Sequence, residues 1–216
     1  MKKTAILIDG AFYRNRAFSC LGEKSPVDRA KELSYYCYKH LQEGQSLYRI
    51  FYYDCLPMKK KVFHPLLQKQ IDFSETDTYK WGMDFIEELK HQRKFAIRLG
   101  KLAESQACYT LKSEVIKKLC SGIKSFSDLE EHDFQINVTQ KGVDMKIGID
   151  IASLAFKKQV DQIVLISGDS DFVPAAKLAR REGIDFILDP LHAHIKPDLY
   201  EHIDGLRTCD ARFRPK

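Results

Sequence analysis

The sequence predicts an α/β protein built on a mostly parallel central sheet. Three observations predict it. Short apolar runs of strand type alternate along the chain with longer stretches of helical periodicity. The run Gln162–Ile166 (QIVLI) is apolar throughout, as a strand covered on both faces must be. Hydrophobic residues make up 44% and charged residues 30% of the 216 positions, a balance that excludes wholesale disorder.

The elements follow in order. Residues 4–8 are a five-residue apolar strand ending at Asp9. With Met1, Lys2 and Lys3 before it, this run imitates a secretory leader, but it is shorter than such a leader's apolar region and is read as the first strand. Asp28 is placed as the N-cap of a helix over 29–42, with Ala30, Leu33, Cys37 and Leu41 on one face and Gly44 beyond its end. Residues 47–53 (LYRIFYY) are aromatic and β-branched, hence a second strand.

Ser74 and Asp77 form a capping-box pattern before a helix carrying Trp81, Phe85, Ile86 and Leu89. Phe95–Leu99 reads as a strand, residues 111–119 as a helix, and 134–138 (FQINV) as an alternating strand. Gly142 opens a helix to about residue 158, with Val143, Ile147, Ile151 and Leu154 inward. After QIVLI comes the turn Ser167-Gly168-Asp169-Ser170-Asp171, then a helix over 172–182 closed by Gly183, a strand over 184–188, and a short helix over 197–203. The length suits a single domain, 1–216, with a variable or inserted segment at about 57–133.

No apolar run approaches the roughly 20 residues of a membrane span. Six scattered cysteines contain no C-x-x-C pair, which fits free thiols and a cytoplasmic location. The net charge of +5 is compatible with a polyanionic partner.

Four acidic residues stand out by position. Asp9 directly follows an apolar strand, Asp169 and Asp171 follow another, and Asp144 lies in the first turn of a helix. Ligands of open α/β sheets bind beyond the carboxyl ends of the strands, where strand order reverses. If the two strands are neighbours there, these carboxylates converge. Their mutual repulsion calls for a hard cation such as Mg²⁺ or Mn²⁺, which takes oxygen ligands and substrate phosphate together. Such an ion polarises a phosphodiester and stabilises the leaving oxygen. Each residue also has a purely structural role open to it. Asp9-Gly10 can be a turn, Asp144 a first-turn acid complementing the helix dipole, and Asp171 an N-cap. Asp150 lies about 240° further round the helix than Asp144 and off its face.

The set Ile6-Leu7-Ile8-Asp9-Gly10, Gln140-Lys141-Gly142-Val143-Asp144 and Ser167-Gly168-Asp169-Ser170-Asp171-Phe172 closely resembles the NYN domain family, and more narrowly its LabA/DUF88 branch. The resemblance covers about 4–15, 47–56 and 134–208. It implies a PIN-like, three-layer α/β/α fold with an acidic Mg²⁺- or Mn²⁺-binding pocket of Asp9, Asp144, Asp169 and Asp171, serving as metal ligands and catalytic groups of an endoribonuclease. One position departs: many NYN domains carry Asn two residues after the glycine, where this chain has Phe12 after Ala11, so an amide that would position substrate is missing. The superfamily often forms dimers, which makes a homodimer an expectation.

Lys141, Ser167 and Ser170 border the acidic motifs and are substrate-binding candidates. Basic residues also gather at Lys59, Lys60 and Lys61 and across 90–101, including Arg93, Lys94 and Arg98. With Tyr52, Tyr53 and Trp81 they suit guidance of a single RNA strand through phosphate contacts and stacking; a solvated charged face is the alternative. His192 and His194 lack partners of metal-ligand spacing and are read as structural.

Two other classes remain. Haloacid-dehalogenase phosphatases also place an Asp after the first strand, but they need a second Asp two residues on, where this chain has Ala11. A regulatory module that holds RNA or a protein without cleaving is the other. The expected activity is metal-dependent hydrolysis of RNA phosphodiester bonds.

Overall fold

The structure, a computed structural model, describes residues 1–214. Its centre is a six-stranded, all-parallel sheet. The chain runs β1 (Lys2–Asp9), α1 (Gly10–Leu21), α2 (Pro26–Tyr38), β2 (Gln45–Asp54), β3 (Lys61–His64), β4 (Lys69–Asp72), α3 (Asp77–His91) and β5 (Phe95–Leu99). It continues through β6 (Lys101–Leu102), β7 (Cys108–Leu111), α4 (Ser113–Cys120), β8 (Phe134–Asn137), β9 (Gln140–Lys141) and α5 (Val143–Phe156). It ends with β10 (Gln162–Ile166), α6 (Val173–Arg181), β11 (Asp185–Asp189), α7 (Pro197–Tyr200) and β12 (Gly205–Leu206).

The sheet order is β12-β11-β10-β1-β2-β5. The chain builds outward from β1 through β2 to β5, then returns to the other side of β1 and builds outward again. The order therefore reverses between β1 and β10, the crevice in which such sheets bind ligands.

Side chains alternate across each strand, so the sheet has two buried faces. Ala5, Leu7, Phe51, Tyr53, Ile163 and Leu165 point to one face, where Ile147 and Ile151 of α5 and Ala176 and Ala179 of α6 cover them. Ile6, Ile8, Ile50, Tyr52, Val164 and Ile166 point to the other, under Tyr13 and Ala17 of α1, Leu33 of α2 and Phe85 and Leu89 of α3. The result is the expected three-layer α/β/α arrangement. Within 57–133, α3 and β5 belong to these layers. The remainder includes the β3–β4 hairpin, α4 and β7, which pairs antiparallel with β8 just beyond the segment, and Met58, Val62 and Ala107 form a small core of their own.

Several boundaries differ from the sequence reading. Helix α1 has no counterpart in it: its inward residues are Gly10, Tyr13 and Ala17, too few to mark an apolar stripe among Arg14, Asn15 and Arg16. Helix α2 is capped by Ser25, not Asp28, because Pro26 fits the first helical position and the Ser25 hydroxyl accepts the Asp28 amide at 3.1 Å. Thr76, not Ser74, caps α3 by accepting the Tyr79 amide. Strand β8 does not join the central sheet but pairs antiparallel with β7, Tyr109 opposite Ile136. Gly142 adopts φ 80° before α5, a left-handed conformation that costs glycine little.

Candidate acidic active site

Asp9 is the last residue of β1 and also the N-cap of α1, where its Oδ1 accepts the Phe12 amide at 3.1 Å. One strand over, Ile8 pairs with Ile166, so Asp9 and Ser167 emerge side by side. The Ser167 hydroxyl donates to Asp9 Oδ2 at 3.4 Å and accepts the Asp169 amide at 3.3 Å. Asp169 in turn caps a short 3-10 turn, Ser170–Phe172, by accepting the Asp171 amide at 3.0 Å. The capping role in this loop thus belongs to Asp169, and Asp171 projects into solvent.

Asp144, in the first turn of α5, completes the group from the sheet's α5 face. Its carboxyl is raised by partial burial and then by the facing Asp169 and Asp171. Asp9 is raised from 3.8 to about 6. Burial is the main cause; Asp144 and Asp54 add to it, while hydrogen bonds from Phe12 and Ser167 oppose it. Asp9 is thus the least exposed of the four, and Asp144, Asp169 and Asp171 are exposed.

The donor set is all oxygen, and its members repel one another, which suits a hard divalent cation. Among the described residues, no three acidic, imidazole or thiol groups stand close enough to hold one ion by themselves. Mg²⁺ is ordinarily held by one or two carboxylates, with waters and substrate phosphate completing the shell, and the residues fit that mode.

Three neighbours were not singled out from sequence. Asp54 ends β2 as Asp9 ends β1, is almost fully buried, and pairs in a fork with Arg14: Nε to Oδ2 and Nη2 to Oδ1, both 2.9 Å. It also accepts the Tyr52 hydroxyl and the Cys55 amide, both at 2.8 Å. A Cβ on Gly10 would come within 2.6 Å of both Asp54 Oδ2 and the Tyr52 hydroxyl, so glycine lets α1 start against this cluster. An acid directly after an apolar strand is the same signal that marks Asp9. Lys196 is the third; its ammonium lies 3.2 Å from Ser170 Oγ, beside the acidic loop.

Of the basic candidates, Lys141 lies on the segment that leads directly into Asp144. It precedes Gly142 and α5, and in the short β6–β9 ladder it stands directly opposite Lys101. Like charges in that register repel unless an anion lies between them. Arg93 and Lys94 are not brought to the site. They lie at the amino end of β5, and Lys94 donates to the Leu47 and Tyr48 carbonyls. Arg98 pairs with Asp150 at 3.1 Å. Lys61 pairs with Asp72, and Lys60 donates to the Glu104 carbonyl. Tyr52 and Tyr53 have no exposed surface, and their hydroxyls bond Asp54 and Asp150, so neither is a stacking platform. Trp81, stacked on Phe85, lines a groove of about 640 Å³ with Arg14, Phe18 and Lys24.

The NYN domain model matches residues 83–196, just over half of the chain. The chain belongs to the NYN domain family. The matched stretch contains Lys141, Asp144, Asp169 and Asp171; β1 with Asp9 precedes it. The six-stranded parallel sheet between helical layers is that of a PIN-like NYN fold, a nuclease-like architecture. A crystal structure of a Vibrio parahaemolyticus protein of unknown function is similar over 98% of this chain and 95% of its own, with a TM-score of 0.52 and 14% identity, a likeness of fold. Comparison with curated proteins finds no match. Phe12, at the position where this NYN domain lacks the asparagine, packs on the acidic loop: a Cβ on Gly168 would come within 2.9 Å of its ring. No helix among the described residues is long and apolar enough to cross a membrane.

Proposed function

We propose that this NYN domain belongs to the LabA/DUF88 branch, a reading its KGVD and SGDSDF motifs support, and that it is a cytoplasmic, metal-dependent endoribonuclease acting on single-stranded RNA. The observation that supports the proposal is the electrostatic coupling of Asp144 to Asp9 on one side and to Asp169 and Asp171 on the other, beside the β1–β10 crevice, with Asp9 raised by burial and by its neighbours. A bound Mg²⁺ or Mn²⁺ supplies charge neutralisation and Lewis acidity at the phosphodiester.

Asp9 and Asp169 hold the cation, with Ser167 fixing their spacing. Asp144 and Asp171 orient the attacking water and keep the local field negative when the cation is absent. Lys141 and Lys101 meet a flanking phosphate, which relieves their own repulsion. Lys196 and Ser170 are placed to meet another. The absence of an amide at Phe12 leaves these basic residues as the positioning groups.

The test is cleavage of an end-labelled single-stranded RNA in Mn²⁺ by wild type and by Asp169→Asn. The proposal expects cleavage by the wild type and a loss of at least about 10²-fold in the variant, the scale of one lost electrostatic group. RNA bound equally by both proteins and cut by neither supports the regulatory module instead.

A further inference from the structure

Away from the acidic site, three side chains form a connected line that the proposed function does not use. His40, between α2 and β2, and Asp189, at the end of β11, are both without exposed surface. His40 Nε2 lies 3.0 Å from Asp189 Oδ2. That carboxylate is ringed by other donors: the Tyr36 hydroxyl on Oδ2, and the Thr208 hydroxyl at 2.6 Å and the Leu191 amide at 2.9 Å on Oδ1. Surrounded by donors, it acts as an acceptor toward the imidazole too, which places the ring proton on Nε2. The neutral ring then has its free lone pair on Nδ1. Nδ1 faces Cys209 Sγ at 3.5 Å.

A thiol, an imidazole aimed at it and a carboxylate orienting the imidazole are the parts of an activated nucleophile. Cys209 is the one member that reaches solvent, and only in part. The charged groups around the thiol are Asp189 and Asp210 on one side of the balance and Arg207 and Lys39 on the other. Burial followed by Asp189 raises it, so its resting form keeps the proton and needs a base to release it. Because His40 and Asp189 are sealed, a reactant must meet the sulfur at the surface and be small.

We propose that Cys209 is a modification site for small peroxides, with His40 as its base and Asp189 as the positioning residue of that base. The sulfur attacks one oxygen of hydrogen peroxide while its proton passes to His40 Nδ1. An S–O bond forms and the O–O bond breaks. Sulfur loses two electrons and becomes a sulfenic acid; the peroxide is reduced, and the departing hydroxide takes the proton from His40 and leaves as water.

The molecule carries its own controls, since Cys108 and Cys120 are more exposed than Cys209 and, among the described residues, no imidazole bonds either thiol. The full chain is treated with hydrogen peroxide near neutral pH, and sulfenic acid is trapped with dimedone and quantified at each cysteine by mass spectrometry. In the folded wild type, Cys209 is expected to label at least about tenfold faster than Cys108 or Cys120, a modest share of what a general base supplies. The advantage disappears in urea. In His40→Gln the Cys209 rate falls about tenfold, while the Cys108 rate is unchanged. Should His40→Gln not fold, the comparison of folded and urea-treated wild type decides alone. Labelling of Cys108 or Cys120 as fast as Cys209 in the folded wild type overturns the proposal.

Discussion

The Ser167 hydroxyl donates to Asp9 Oδ2 at 3.4 Å and so ties the end of β1 to the acidic loop after β10. The bond spans the point at which the sheet changes direction. It turns two carboxyl-bearing segments far apart in sequence into one site, and it partly offsets the burial that raises Asp9.

That rise has a sign that can be measured. Asp9 titrates at about 6 when folded, above its ordinary 3.8. The folded chain thus binds the proton more tightly than the unfolded chain does. Stability contributed by the protonated form is present below about pH 4 and is lost as pH rises toward 6. Asp9→Asn removes that loss while keeping a side-chain acceptor for the helix cap. Urea unfolding near neutral pH is expected to find the variant more stable by roughly 1–2 kcal/mol, after discount for partial exposure, with the gain shrinking toward pH 4. A variant less stable than wild type at neutral pH contradicts this reading of Asp9.

The fork between Arg14 and Asp54 makes a second prediction. Asp54 is almost wholly enclosed, whereas the Arg14 side chain is about one-third exposed. Arg14→Met leaves the carboxylate with the Tyr52 hydroxyl and the Cys55 amide but no cation. The expected cost is about 2–4 kcal/mol, near the lower part of the range for breaking a buried pair. Arg14→Met with Asp54→Leu should recover a good part of it in a double-mutant cycle. Additive losses would count against the pair as a unit.

Lys101 and Lys141 test the route of the RNA. Each is expected to neutralise one phosphate, so Lys101→Ala and Lys141→Ala each weaken binding of single-stranded RNA and lower the slope of log affinity against log salt by about 0.7. Arg93→Ala and Lys94→Ala, at the far end of β5, should leave that slope unchanged. Filter binding across a salt series reads both; equal effects of the four substitutions would remove the cross-strand pair from the site.

Much of this was legible in the residues because the signals were local. QIVLI could only be a strand covered on both sides, and the acids after strands fall where a parallel sheet gathers its strand ends. Asp54 obeyed the same rule and went unmarked, since its partner Arg14 lies on a helix that itself left no periodic trace. Helix α1 is specified by the Asp9 cap and by close packing at Gly10, Tyr13 and Ala17, neither of which shows as an apolar stripe. The strand character of 134–138 was plain, but its partner was not: pairing with β7 instead of the main sheet is set by contacts distant in sequence. Arg93 and Lys94 read as RNA-guiding residues because charge runs in sequence carry no information about which end of a strand they occupy.

The most direct measurement is anomalous scattering from crystals of the wild-type protein soaked in Mn²⁺. The account predicts a peak at the mouth of the β1–β10 crevice, ligated by Asp9 and Asp169 with water in the rest of its shell, and its disappearance in Asp9→Asn. Manganese bound elsewhere on the molecule at saturating concentration, with that crevice holding only water, would contradict it.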